Sequence, residues 1–130
     1  MEVIERIATA CTPYVNFDPK SGRMLIQGRI IPQVAEEFWD PILKWFYAYS
    51  SAPSEKTTLI LNVEYFNTLS SKQILFLLHK VNDLHEKGHD AEVIWQYGED
   101  DEDMKEVGFD FSCVVNVPFR FQKITENIAL

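Results

Sequence analysis

The stretch Thr57 to Gly88, TTLILNVEYFNTLSSKQILFLLHKVNDLHEKG, decides the fold. Leu59, Ile60, Leu61 and Val63 form a near-continuous run of branched apolar side chains, the pattern of a strand buried on both faces at the centre of a sheet. Glu64, Tyr65 and Phe66 follow, then the polar loop Asn67-Thr68-Leu69-Ser70-Ser71. From there Ile74, Leu77 or Leu78, Val81 and Leu84 recur at helical spacing until Gly88 stops the helix.

Upstream of this unit, Met1 to Thr12 alternate weakly and read as a loosely attached segment over 1–11 or a short edge strand. Tyr14, Val15 and Phe17 suggest a first strand. Asp18-Pro19-Lys20-Ser21-Gly22 then combines a proline that presets φ with a glycine free to take φ > 0, which should reverse the chain into a second strand from Arg23 to about Ile31. Gly28 interrupts that strand and marks a bulge or a close backbone approach. From Gln33 to Ser50, Val34, Phe38, Ile42, Trp45 or Phe46 and Tyr49 fall on one aromatic helical stripe facing the core. Pro41 implies either a kink or a second segment capped by Asp40. Trp39 and Tyr47 lie off the centre of the stripe, and their size favours burial over an exposed aromatic patch.

Downstream, Ala91, Val93, Trp95 and Tyr97 share one face of a strand while Glu92, Ile94 and Gln96 take the other. The acids Glu99 to Asp103 lead into a short helix with Met104, Val107 and Phe111 inward, where negative charge suits the first turn. Val115, Val117, Phe119 and Phe121 alternate as a last strand whose Pro118 places it at a sheet edge or a bulge, and 123–130 is a tail. The expected architecture is a single α/β domain spanning 1–130, β-β-α-β-α-β-α-β, with a mixed sheet, packed helices and a right-handed parallel crossover in the central strand-helix-strand unit.

Composition narrows the function. The chain has 130 residues, one domain by length, and its 46% hydrophobic content can fill an ordinary core. Twelve basic against twenty acidic side chains give a formal charge of -8, which opposes nucleic acid or anionic membrane as the main partner and favours proteins. Cys11 and Cys113 form no metal or redox motif and are expected as free buried thiols. With no apolar segment of signal or spanning length, the reading is a cytoplasmic protein.

The hydroxyls of Thr68, Ser70 and Ser71 stand where a helix begins. The first turn of a helix presents free N–H groups and partial positive charge, so a phosphate on any of them would be tolerated there; equally, these residues serve as ordinary N-caps. The order Tyr65-Phe66-Asn67-Thr68, a hydroxyl residue, Lys72 and a long amphipathic helix resembles the SiaC family of bacterial regulatory phosphoproteins, whose fold is similar to the STAS domains of anti-sigma factor antagonists. The likeness runs from Thr12-Pro13 through the hairpin, Gly28, Trp45 and Trp95-Gln96-Tyr97 to Pro118-Phe119. Leu69 departs from the small hydroxyl residue expected after the threonine and leaves fewer competing acceptors.

That resemblance implies reversible phosphorylation of Thr68 by a Ser/Thr kinase of histidine-kinase-like type and its reversal by a PP2C-type phosphatase. The unphosphorylated form would engage a diguanylate cyclase in c-di-GMP signalling that controls biofilm or aggregation, with Tyr65, Asn67, Leu69, Ser70, Ser71 and Lys72 forming the surrounding phospho-loop and partner surface. The switch would be electrostatic: phosphate adds about -1.5 to -2 charges and opposes docking by repulsion and desolvation. No cofactor is implied and no catalytic arrangement is recognisable, so the expectation is a non-enzyme. The alternative client is an anti-sigma factor, as for the similar STAS domains.

A reading of another class comes from His85-Glu86-Lys87-Gly88-His89, which matches the zinc-protease pattern His-Glu-x-x-His and would make a zinc-dependent hydrolase of His85, Glu86 and His89. It requires both imidazoles on one helical face, yet Gly88 should end the helix before His89. The acidic run lacks the alternating ligands and the distant glutamate of a calcium loop.

Overall fold

The computed structural model describes residues 1–125. It contains β1 (Ile4–Arg6), β2 (Tyr14–Asp18), β3 (Arg23–Ile30), α1 (Ala35–Tyr49), β4 (Lys56–Phe66), α2 (Thr68–Glu86), β5 (Asp90–Gly98), α3 (Glu102–Ser112) and β6 (Phe119–Ile124). The strands form one six-stranded sheet in chain order. β1, β2 and β3 run antiparallel, whereas β3-β4, β4-β5 and β5-β6 are parallel, so the sheet is mixed as expected. The element order carries one strand more than the sequence reading.

Because the parallel strands follow one another without a reversal, crossovers of one hand lay every helix on the same face of the sheet. The core reflects this. Val15, Phe17, Met24, Ile26, Leu59, Leu61, Val63, Val93 and Trp95 form one cluster with Phe38, Ile42 and Phe46 of α1, Ile74, Leu77, Leu78, Val81 and Leu84 of α2, and Met104 of α3. Ile60 and Ile94 are also buried, but they lie outside this cluster on the opposite face. That face carries a row of polar residues in register across the strands, Tyr14, Gln27, Asn62, Gln96 and Gln122, with Gln96 Nε2 donating to Gln122 Oε1 at 2.7 Å.

Several local expectations hold. Gly22 closes the hairpin at φ +72 with its N–H donating to Asp18 O at 3.0 Å, and a Cβ there would stand 2.0 Å from Lys56 O. Gly28 has φ +128 and marks a shift in the β3-β4 register. Gly88, at φ +92, follows the end of α2. α3 takes Asp101 as its cap, which accepts from Met104 N–H at 3.0 Å, and Gly108 brings it so close to Trp95 that a Cβ would meet the indole at 2.4 Å.

Of the two readings of the N-terminal segment, the short edge strand is the one found: Ile4–Arg6 pairs with β2, Trp45 Nε1 donates to Glu2 O at 2.8 Å and Tyr14 OH donates to Glu5 Oε2 at 2.6 Å. Other expectations are corrected. α1 runs unbroken through Pro41, so Asp40 caps no second segment. Trp39 is buried, as its size predicts, but Tyr47 is exposed, and so is Val34 at the head of the stripe. The last strand starts only after Pro118, whose missing donor is harmless ahead of an edge strand, and it takes in Lys123 and Ile124 of the expected tail. The rest of that tail, 126–130, lies outside the described residues. Cys11 is half-buried and Cys113 exposed, both free, so neither is the buried thiol anticipated.

Candidate functional site

The carboxyl end of β4 delivers the chain to the start of α2, and a bulge decides what it presents there. In the β3-β4 register Gly28 faces Val63 and the next pair is Arg29 with Tyr65, which leaves Glu64 as an extra residue on β4. Plain alternation from the buried Val63 would turn Tyr65 inward. The extra residue reverses the phase: Phe66 packs against the core and Tyr65 is 56% exposed.

Asn67 then anchors the turn. Its N–H donates to Ile30 O at 3.2 Å, and its Oδ1 accepts from Ser70 N–H at 2.9 Å in the manner of an N-cap. Asn67 O accepts from Ser71 N–H at 3.0 Å as the helix begins. With capping assigned to Asn67, the hydroxyl of Thr68, the first helical residue, is not consumed by it, and Thr68 faces solvent. Leu69 beside it is 57% exposed, and Lys72, one turn on, is exposed as well. No acidic residue occupies the first turn of α2, so nothing there opposes a negative charge.

Ser70 departs from expectation. The resemblance groups it with the partner-binding loop, but it is fully buried, and its Oγ accepts from Trp39 Nε1 at 3.2 Å. Its role is to hold the first turn of α2 onto α1 from below, and a phosphate there would have to displace the indole. Ser71 is half-buried at the edge of a groove of about 300 Å³ between α2 and α3, lined by Phe66, Leu75, Val107, Asp110, Phe111 and Val114. The outward set around the threonine is therefore Tyr65, Thr68, Leu69 and Lys72, with Asn67 and Ser70 as its supports. Sequence spacing alone missed Trp39 as a support, because it lies off the centre of its helical stripe.

At the other end of α2, the helix stops at Glu86 and His89 lies beyond Gly88. His85 and His89 border one shallow depression with Asp90, Ala91 and Pro118, but the Glu86 carboxylate accepts from Asn116 Nδ2 at 2.7 Å and is engaged away from a base's role. Among the described residues no group of three or more His, Cys, Asp or Glu side chains is placed to hold a metal ion. Among them, too, no helix is long and apolar enough to cross a membrane.

Comparison with known proteins places this geometry. An uncharacterized protein of Pseudomonas aeruginosa (strain UCBPP-PA14) is 25% identical over 114 residues, covering 88% of this chain and 90% of that one. Among solved structures, apo-SiaC from Pseudomonas aeruginosa superimposes with a TM-score of 0.83 at 24% identity, over 94% of this chain and 99% of that one. The SiaC bound as activator to the diguanylate cyclase SiaD, also from Pseudomonas aeruginosa, superimposes with a TM-score of 0.89 at 24% identity, over 93% of this chain and 99% of that one. The family model described as SiaC family regulatory phosphoprotein matches residues 6–124. The chain accordingly belongs to the SiaC family of regulatory phosphoproteins.

Proposed function

We propose that this protein is a non-catalytic cytoplasmic switch in which reversible phosphorylation of Thr68 controls docking to a diguanylate cyclase. The observation that carries the reading is the division of labour at the start of α2: Asn67 makes the cap and Ser70 the buried anchor, while Thr68 stands exposed between Tyr65 and Leu69. A modifying enzyme can reach such a hydroxyl without unfolding the helix. A phosphate there meets the positive end of α2 and Lys72 at i+4, so the fold accommodates the charge. The cost falls on the partner, whose surface would have to desolvate a dianion to cover Tyr65 and Leu69.

Membership of a regulatory phosphoprotein family and the likeness to a SiaC crystallised with the cyclase it activates support the client. The modifying enzymes that fit are a Ser/Thr kinase of histidine-kinase-like type and a PP2C-type phosphatase. Intact and peptide mass spectrometry of the protein isolated from its native host tests the reading. Phosphate confined to Thr68 is expected, with cyclase binding retained by Thr68→Ala and weakened in Thr68→Glu. Absence of phosphate under every growth condition, or full binding by Thr68→Glu, would count against it.

A further inference from the structure

Away from the phosphorylation loop, α1 and α2 leave between them a groove of about 310 Å³ lined by Leu43, Lys44, Tyr47, Phe76 and Lys80. Apart from two ammonium groups this lining is aliphatic or aromatic, and its rings are unusually open for their size, Tyr47 at 68% and Phe76 at 48% exposure. Lys80 joins the two walls. Its Nζ lies 5.1 Å from the Phe76 ring centre and 5.8 Å from that of Tyr47, within cation–π range of both. Among the described residues the lysine and arginine ion pairs are those of Lys56 and Arg120 with Glu92, so neither Lys44 nor Lys80 is neutralised by a carboxylate. In a chain with twenty acids and twelve bases, that leaves an apolar trough with uncompensated positive charge. Asp40, one turn before Lys44, and Asp83, one turn beyond Lys80, bound the cationic stretch along the two helices.

The α2 wall of the groove lies on the same side of that helix as Leu69, the residue after Thr68. At about 100° per residue, Leu69, Phe76 and Lys80 lie within about 20° of a single line on α2, with Lys72 about 60° to one side. From Leu69 to Lys80 this line spans about 16 Å, with Leu69 and Phe76 exposed and Gln73 and Lys80 half-buried along it. We infer that the α1-α2 groove is a docking surface for an amphipathic helix of a partner protein, about three turns long. Its apolar side chains enter between Tyr47 and Phe76, and Asp or Glu on its flanks meet Lys44 and Lys80. A trough between two helices suits a third helix read by anchors at i, i+3, i+4 and i+7. The charge selects the partner: the net -8 of the chain repels acidic surfaces elsewhere, and the two lysines mark where an acidic helix lies.

Only the partner's identity as a cyclase rests on the proposed function, and two measurements separate the claims. In the first, Tyr47→Ser and Lys80→Glu, both surface changes checked by circular dichroism and melting, are compared with wild type for binding to the host's diguanylate cyclase. Each should weaken it at least tenfold with Thr68 unphosphorylated; wild-type affinity in both would overturn the groove and leave the switch standing. In the second, a synthetic 14-residue amphipathic helix with a leucine face and glutamate flanks, and its lysine-flanked counterpart, are titrated into the isotope-labelled full chain. Shifts centred on Tyr47, Phe76 and Lys80, with at least tenfold weaker binding of the lysine-flanked peptide, support the groove even if no cyclase binds. Equal response to both peptides, shifts centred elsewhere, or binding instead to phosphatidylserine vesicles would overturn it.

Discussion

The indole of Trp39 donates a hydrogen bond of 3.2 Å to the buried hydroxyl of Ser70, tying α1 to the first turn of α2 directly beneath the exposed Thr68. The two neighbouring hydroxyls of the loop therefore do opposite work, one inside and one outside.

Removing the inner one should cost stability. Ser70→Ala leaves the Trp39 N–H buried without an acceptor, and chemical denaturation should register a loss of about 1–3 kcal/mol. A change below about 0.5 kcal/mol would mean that the indole finds another partner or water.

Caps and switches should separate in the same assay. Asn67→Ala forfeits the side-chain bond to Ser70 N–H and should cost about 1 kcal/mol, whereas Thr68→Ala should stay within about 0.5 kcal/mol of wild type. Reversed magnitudes would assign the cap to the threonine.

Phosphate on Thr68 should leave the fold intact or strengthen it slightly. Stoichiometrically phosphorylated protein should be more stable by about 0.3–1 kcal/mol at low salt, through the helix dipole. Lys72→Ala should remove about 0.2–0.5 kcal/mol of that gain. Destabilisation on phosphorylation would point to a clash at the loop and to a conformational rather than a local electrostatic switch.

Gly108→Ala tests the seat of α3. An added Cβ would stand 2.4 Å from the Trp95 ring, whose Nε1 donates to Met104 O at 3.0 Å. Overpacking of this kind costs about 1–3 kcal/mol, and melting of the variant should show it. An unchanged melting point would show that α3 is free to slide on the sheet.

Much of this was legible in the residues. The apolar run Leu59 to Val63, the helical spacing from Ile74 to Leu84 and the glycines at 22, 28 and 88 each constrain the chain locally, and the structure keeps them where the spacing put them. What stayed hidden depends on contacts distant in sequence. β1 is three residues long, and its weak alternation left a loose segment and an edge strand both open until β2 offered it an edge. Trp39 and Tyr47 stand about 80° apart on the helical wheel, the first flanking the apolar stripe and the second nearly opposite it, and Ser70 meets the first while solvent meets the second. Similarly, four of the five residues from Asn67 to Ser71 could have capped α2, and only the approach of α1 decides that Asn67 does so while Ser70 turns inward. The outward turn of Tyr65 needed the β3-β4 register, since Gly28 announces an irregularity on its own strand while the extra residue, Glu64, sits on the neighbouring one.

The bare placement of Thr68 on the first turn of α2 also sets the range over which any charge put there is felt. Without walls of low dielectric around it, such a field fades over about 8 Å at physiological ionic strength. It would reach Tyr65, Leu69 and Lys72 and little else. A signal written at that position is short-sighted: it speaks to whatever lies against the loop, it fades as salt rises, and the far side of the sheet never hears it.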